Sequence, residues 1–470
     1  MRKLHMFFRV ACLMLASVAC NNIDLQIEDP DAPQEWRVSI QATMGDAQDQ
    51  TKALSESGNT ITASWEAGDV VYICNNNYDY GQLTAQSSGT STKLSGTITK
   101  SMTVGATYTL RYLQKGNDFL YLPNQKGTLE DIAKNHDMAE ATVTVKSIDG
   151  DEVVFNETSV SFQSKVSITK FTFDRSVKNV TIFCSNLKTY VRPGYSGKYG
   201  FIDIIPEEET STIHVAMSTL EAKKDVFLFL AKGADGLYYM ATKKAQLEDG
   251  KNYATNVTLS AMPDYVDLGI VRDEKHVCWA TKNLGADRPG ATGNYYAWGE
   301  TAPKTTYSWD NYAWGSYSWI TKYDPDRPDQ GVVDGLANLL PEDDAATVAL
   351  DESWRTPSYD DFKDLLNASN VESIRAYADG TWGYCFHSVI EGYESKFIFI
   401  PMTQGYYEGD TRQETAKGYY WSNKIDQLSW TSSSYVNILQ LGGYYSVPET
   451  SRMQRAYGLA VRPVHIVTPE

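Results

Sequence analysis

From Arg37 to about Ser260 the chain is written in short alternating runs rich in Val, Ile, Thr, Tyr and Phe, broken by Gly, Asn and Asp. Val38-Ser39-Ile40, Val70-Val71-Tyr72-Ile73, Thr107 to Tyr112, Val166 to Phe173, Val180-Thr181-Ile182-Phe183 and Asp225 to Leu230 are examples. Successive side chains on a strand point to opposite faces, so apolar residues at every second position put one face on a core and the other in water. Strands at this spacing predict β-sandwiches. One helical insert is predicted at Thr128 to Ala141, where Thr128 supplies a capping oxygen and Leu129, Ile132 and Ala133 share a face.

Around Pro263 the pattern changes. Nine of the eleven Trp, from Trp279 to Trp430, and nineteen of the 31 Tyr lie beyond it, so a new domain is expected to begin there. Its clear helices are Asp343 to Asp351 and Ser358 to Leu366. In the second, Ser358 is the N-cap and Asp361, three residues on, can bond back to it, while Phe362, Leu365 and Leu366 form the buried stripe. Few helices among many aromatic strand fragments predict an α+β domain.

The N-terminus reads as a leader. Arg2 and Lys3 precede an apolar run that ends in Ala16-Ser17-Val18-Ala19 before Cys20. The run is shorter than the roughly 20 apolar residues a bilayer span needs, and polar Asn21-Asn22 follows it. The chain carries 42 Lys+Arg against 59 Asp+Glu, a net charge of −17. From Met262 onward there are 17 against 29, a net of −12. Such a field repels phosphate backbones and no basic cluster overrides it, so nucleic acid is not an expected partner. Cys74, Cys184, Cys278 and Cys385 stand about a hundred residues apart, which fits neither a CxxC metal site nor a disulfide framework. Buried free thiols are expected.

Three groups of motifs carry resemblances. The small residues before Cys20 resemble the lipobox of bacterial lipoproteins, although Ser17 replaces the usual Leu; that implies an acylated Cys20 tethering the chain to an outer membrane, the alternative being a plain cleaved leader. The acidic stretch Asp24, Glu28, Asp29, Asp31 is similar to surface-export tags of such lipoproteins. Ser64-Trp65-Glu66-Ala67-Gly68-Asp69-Val70 resembles the W-x-x-G-D signature of the fimbrillin-like proteins of Bacteroidetes. Ser161 to Val166 and the closing Leu247 to Tyr253 are similar to further motifs of that family. The resemblance implies two transthyretin-like β-sandwiches in tandem.

In the C-terminal region, Trp279 to Ala286, Tyr295 to Thr301, Asp343 to Ala346, Trp354-Arg355-Thr356-Pro357, Tyr420-Trp421-Ser422 and Gly458 to Val464 occur in order. Together they resemble the Fibrobacter succinogenes major paralogous domain, which implies a C-type-lectin-like fold. The expected chain is therefore multidomain, two all-β transthyretin-like sandwiches followed by an α+β C-type-lectin-like domain. Its parts are a leader at 1–19, an acylated Cys and linker at 20–36, sandwiches at 37–157 and 158–261, and the lectin-like domain at 262–470.

Catalysis has little to build on. No G-x-S-x-G is present. Cys385 and His387 would share a strand face, so a Cys/His dyad is geometrically conceivable, against the commoner reading of a buried thiol beside an imidazole. The loop Asp324 to Gly331 invites comparison with a calcium loop, yet Pro328 and Asp329 occupy positions where an EF-hand needs a ligand and a Gly. It reads as a solvated acidic loop or a calcium site of another kind, and no cofactor is expected.

Trp279, Trp298, Trp354 and Trp421 fall inside motifs and are expected in the core. Tyr406-Tyr407, Tyr435, Tyr444-Tyr445 and Tyr457 sit in Gly/Ser/Asn-rich stretches, a composition shared by paratopes and by ordinary surface loops. The lectin-like resemblance implies an exposed face in the final third of the domain. On it Tyr435, Asn437, Gln440, Tyr444, Tyr445 and Arg455 are the candidate contacts for an extracellular glycan or protein ligand. The fimbrillin-like resemblance implies other fimbrial subunits as partners by strand complementation, after cleavage at an N-terminal Arg or Lys, for which Arg37 is the nearest candidate. A cell-surface fimbrial tip or accessory subunit presenting an adhesin domain is the expected function; the first alternative is a free-standing surface lipoprotein that captures glycans or peptides, and the second, an enzyme on the lectin-like fold, is not expected.

Overall fold

The computed structural model describes residues 34–44, 54–57, 60–75, 78–113, 119–192, 195–196, 200–325, 327–329, 331–407, 411–412, 417–426, 433–442 and 447–468. The leader with Cys20 lies outside them, as do Tyr444 and Tyr445. Among the described residues no helix is long and apolar enough to cross a membrane. The chain is largely β, multidomain, with several sheets and a few short helices.

The first unit is an eight-stranded sheet that closes on itself. Strand Trp36–Met44 runs antiparallel to Ser91–Ile98 on one edge and parallel to Glu152–Phe155 and Ser159–Ser164 on the other. From Ser91–Ile98 the ladder continues through Tyr78–Ala85, Val70–Asn75, Thr107–Leu113 and Met138–Asp149, which pairs back onto Ser159–Ser164. Closure removes exposed strand edges. Val38, Ile40, Ala42 and Met44 alternate inward, as the period of two requires. Trp65 anchors this core, its buried ring standing edge-on to Tyr112 and Phe162 at 5.9 and 5.3 Å. The turn after it holds Gly68 at φ 96°, a left-handed conformation that costs Gly little, and the Asp69 carboxylate accepts the Glu66 amide at 2.8 Å.

The second unit is built on one strand of 17 residues, Ser167–Phe183. Its first half pairs with Thr210–Met217 and, in parallel, with Asn252–Val257; after a register shift between Thr172 and Val177 its second half pairs with Phe201–Ile204 and Asp225–Gly233. Asp225–Gly233 in turn carries Tyr238–Ala245 and then Ser260–Ala261.

Two expectations are corrected here. The helix covers only Leu129–Asn135, capped by Thr128; from Met138 the chain is the strand Met138–Asp149, where Ala139, Ala141, Val143 and Val145 bury with a period of two. The boundary after residue 157 falls inside the first unit, because Ser159–Ser164 pairs with Trp36–Met44. Conversely, Leu120, Leu122 and Ile132 pack into the core of the second unit, and Leu120–Tyr121 pairs with Tyr190–Arg192. The first two units share surfaces along this whole segment.

In the C-terminal region Tyr265–Arg272, Lys275–Ala280, Val464–Val467 and Trp354–Arg355 form one sheet, so the region's first and last strands lie together. A second sheet runs Tyr295–Tyr296, Leu459–Ala460, Gly418–Ile425, Tyr435–Leu441 and Glu449–Gln454. A third holds Val371–Ala378, Thr381–Ser388 and Phe397–Pro401. The helix Tyr359–Leu365 has the expected capping box, Ser358 with Asp361, and buries Phe362 and Leu365. The other expected helix is a 3-10 turn, Pro341–Asp343, followed by Ala345–Ala349, where the Asp344 carboxylate caps Ala346 and also takes the Thr356 amide and hydroxyl.

The third sheet docks on the second unit. Phe183, Phe201, Leu228 and Leu230 meet Ile374, Ala376, Ala378, Cys385, Phe397 and Phe399 in one apolar cluster. The rim of that junction is polar, with the Tyr238 hydroxyl donating to Asp379 at 2.8 Å and Arg288 paired with Asp379 at 3.0 Å. Burying side chains of this size contributes about 1.5–3 kcal/mol each.

Candidate functional site

The strand Tyr435–Leu441 and its edge partner Glu449–Gln454 present the exposed part of the second C-terminal sheet. Their register sets Tyr435 opposite Gln454, Asn437 opposite Arg452 and Gln440 opposite Glu449. Directly opposed residues share a face, and successive residues along a strand change face. Tyr435, Asn437, Arg452 and Gln454 therefore lie on one face; Gln440 and Glu449 lie on the other, hydrogen-bonded to each other at 2.9 Å. Val436, Ile438 and Met453 on that other face pack into the core that contains Trp298 and Trp421.

A segment far away in sequence completes the first face. The Trp309 indole donates to the Gln454 side-chain Oε1 at 2.7 Å, and the Gln454 side-chain Nε2 donates to the Tyr435 hydroxyl at 3.5 Å. Tyr317 stands edge-on to Trp309 at 5.7 Å. Electrostatic repulsion from Tyr435 and the hydrogen bond between the two phenols raise the Tyr317 pKa above its ordinary value. Tyr317 and Trp319 are each 50% exposed and Val332 is 51% exposed. Trp319 neighbours Ile320, whose carbonyl takes the Val332 amide at 2.9 Å. Arg452 lies 6.0 Å from the Tyr435 ring centroid and pairs with Asp426 at 3.3 Å. Rigid aromatics, an arginine and adaptable amides make a surface able to bind a polar ligand with an apolar side.

The six expected contact residues thus separate. Tyr435 is at the centre of the face. Asn437 lies on it, but its amide donates to the Ile425 carbonyl at 3.1 Å and holds the bulge between Trp421 and Ile425. Gln440 points away from both. Arg455 is a correction: its side chain is fully buried, and its guanidinium donates to the carbonyls of Lys322 and Tyr323, each at 2.9 Å, and of Ser433. Burial lowers its pKa, and Tyr312 and Asp324 work the other way. It ties three loops together beneath the face. Trp309, Tyr317 and Arg452 are not among the contacts expected from sequence, although Tyr307 to Trp319 has the same Tyr/Trp/Ser/Asn/Gly composition as the stretches that supplied them.

Of the remaining aromatics, Tyr457 is buried and Tyr406 packs on Tyr295 and Tyr307 at 4.9 and 5.5 Å. Trp279, Trp298 and Trp421 are core residues, and Trp354 is half-buried against Tyr265 and His465. The Trp298 indole donates to the Ser422 carbonyl at 2.8 Å and the Trp421 indole to the Tyr296 carbonyl at 2.7 Å, a reciprocal tie between two motifs. Arg462 is buried on the carbonyls of Ala280 and Phe399, and burial pushes its pKa down to about 10.

The other candidate chemistry finds structural roles. Cys74, Cys184, Cys278 and Cys385 are buried and unbridged. Burial raises the Cys184 and Cys278 thiols to about 12 and holds Cys385, inside the junction, well above its ordinary value. A nucleophile must be a thiolate, so Cys385 is poorly placed for a dyad, and His387 Nε2 bonds the Glu394 carbonyl at 2.6 Å. In the acidic loop, Asp324 accepts the Ser433 hydroxyl at 2.8 Å and the Arg327 amide at 3.0 Å, while Asp334 accepts the amides of Tyr323, Asp324 and Leu336. Among the described residues no group of three or more His, Cys, Asp or Glu is disposed to hold a metal ion.

Arg37 is the second residue of the strand Trp36–Met44, paired with Asp151 at 2.8 Å and flanked by Thr97 and Glu152. A cut after it takes only Trp36 and Arg37 from that strand; Val38–Met44 stay between their neighbours.

No family model matches the chain, and no curated protein matches it. Solved structures to which it is similar include a candidate cell adhesion protein from Bacteroides uniformis, 17% identical, with 48% of this chain and 93% of that one covered and a TM-score of 0.26. A candidate adhesin from Bacteroides ovatus is 9% identical over 53% of this chain and 99% of its own, with a TM-score of 0.26. The shaft pilin SpaA from Lactobacillus rhamnosus GG is 11% identical over 49% and 99%, with a TM-score of 0.21.

Proposed function

We propose that the chain is an exported, lipid-anchored surface protein whose two β-units carry a lectin-like domain, and that this domain binds an extracellular glycan or protein through the face of Trp309, Tyr317, Tyr435, Arg452 and Gln454. The observation that carries this is the convergence of those five side chains from separate segments onto one partly exposed sheet face. The leader and Cys20 supply the location. The mature chain, applied to glycan and extracellular-protein arrays, is expected to retain at least one ligand. A folded chain that retains none overturns the binding role.

Within that reading, a free-standing or terminal position is favoured over a place in a fibre shaft. The last long strand of the second unit, Asn252–Val257, is followed by the docked C-terminal domain and cannot leave to complement another subunit. Cleavage at Arg37 empties no groove among the described strands. Mild trypsin treatment should therefore leave the protein monomeric on size exclusion. Filaments after treatment would restore the shaft reading.

A further inference from the structure

A cleft lies where the first two units meet, apart from the face just described. Two adjoining cavities of about 390 and 530 Å³ flank the helix Leu129–Asn135 and share Lys126, Asp131 and Asn135 as lining. Together they make up the cleft. At one end it is aromatic: Phe119, 37% exposed, and Tyr121 line it, with Tyr190 packed against both at 5.4 and 5.0 Å. The remainder is polar, with Asn124, Lys126 and Asp131 followed by Glu130, Lys134, Glu207 and Glu208.

The floor is rigid. Gln125 is fully buried and bonds the Leu122 and Ala216 carbonyls at 2.8 and 2.7 Å and the Ala216 amide at 2.9 Å, which pins the segment beside it to strand Thr210–Met217. Next to it Asn124 is held at φ 65°, its amide N–H bonded to Asp203 at 2.9 Å. Its side-chain amide is exposed on the cleft and has no hydrogen-bond partner among the described residues. A side chain other than Gly fixed in the left-handed region marks a position where the surroundings over-determine the backbone.

We propose that this cleft binds a neutral oligosaccharide. A pyranose ring has an apolar C–H face and a polar edge. The Phe119 and Tyr121 rings suit the first; the Asn124 side-chain amide and the Lys126 ammonium suit the second, beside Asp131, whose carboxylate already accepts the Lys126 backbone N–H and the Asn135 side-chain amide, each at 2.7 Å. Carboxylates outnumber lysines in the lining, so sialylated or uronic-acid sugars are repelled.

The test is titration calorimetry of the mature full chain with cellohexaose, xylohexaose, maltohexaose and chitohexaose. At least one is expected to bind. Phe119→Ala, which removes an exposed ring, should weaken that sugar about tenfold or more with an unchanged melting temperature, Asn124→Asp should weaken it independently, and Tyr435→Ala should leave it untouched. Binding of none of the four overturns the proposal. So does affinity that survives both cleft substitutions, or that is lost with Tyr435→Ala, which would assign the sugar to the C-terminal face.

Discussion

Replacing Arg455 with Ala is expected to destabilise the C-terminal domain by about 3 kcal/mol or more. The guanidinium is the partner of three carbonyls, those of Lys322, Tyr323 and Ser433, and lies 5.1 Å from the Trp298 ring centroid. Each buried acceptor left unpaired costs roughly 1–3 kcal/mol, and the cavity adds to that. Arg455→Lys keeps the charge and loses the fork, so it should fall between the two. Denaturant midpoints check this. A loss below about 1 kcal/mol, together with loss of ligand, would mean that Arg455 serves the surface after all.

The second large effect concerns the junction. Phe183 is fully buried with its ring 6.0 Å from Phe397 and 6.1 Å from Phe399, across the boundary between the second unit and the C-terminal domain. Phe183→Ala should cost about 3–5 kcal/mol, as core aromatic truncations do. Because that core is shared, the wild-type chain is expected to unfold these two parts in one calorimetric transition, and the variant in two. If the wild type already shows two, and the substitution costs little, the domains are strung beads and the docking has no energetic weight.

Local signals were legible before the structure, and non-local ones were not. The Ser358 cap, the Gly68 turn and the alternating strands depend on residues within a few positions of one another, and each is found where expected. The helix capped by Thr128 stops at Asn135 and not at Ala141, because Ala139 and Ala141, two positions apart, suit an alternating strand and pairing with Thr107–Leu113 holds them in one. The first domain boundary followed motifs, while Ser159–Ser164 follows its hydrogen bonds.

The candidate face was half legible. Tyr435 was recognised by composition, but which residues share its side depends on strand register, and Gln440 differs from it by an odd number of positions. Trp309 joins through a contact spanning 145 residues of sequence, which no local pattern carries. Arg455 looks like surface because arginine usually is; only the three carbonyls that surround it make burial tolerable.

The most direct measurement is the affinity of the mature chain for its array-selected ligand, with and without Tyr435→Ala and Arg452→Ala combined. Both side chains are partly exposed and neither belongs to a core cluster. Hot-spot truncations of Tyr and Arg cost about 2 kcal/mol or more, so affinity should fall at least ~30-fold at ~1.4 kcal/mol per tenfold, with the melting temperature nearly unchanged. Undiminished binding by the folded double variant would contradict the assignment of this face.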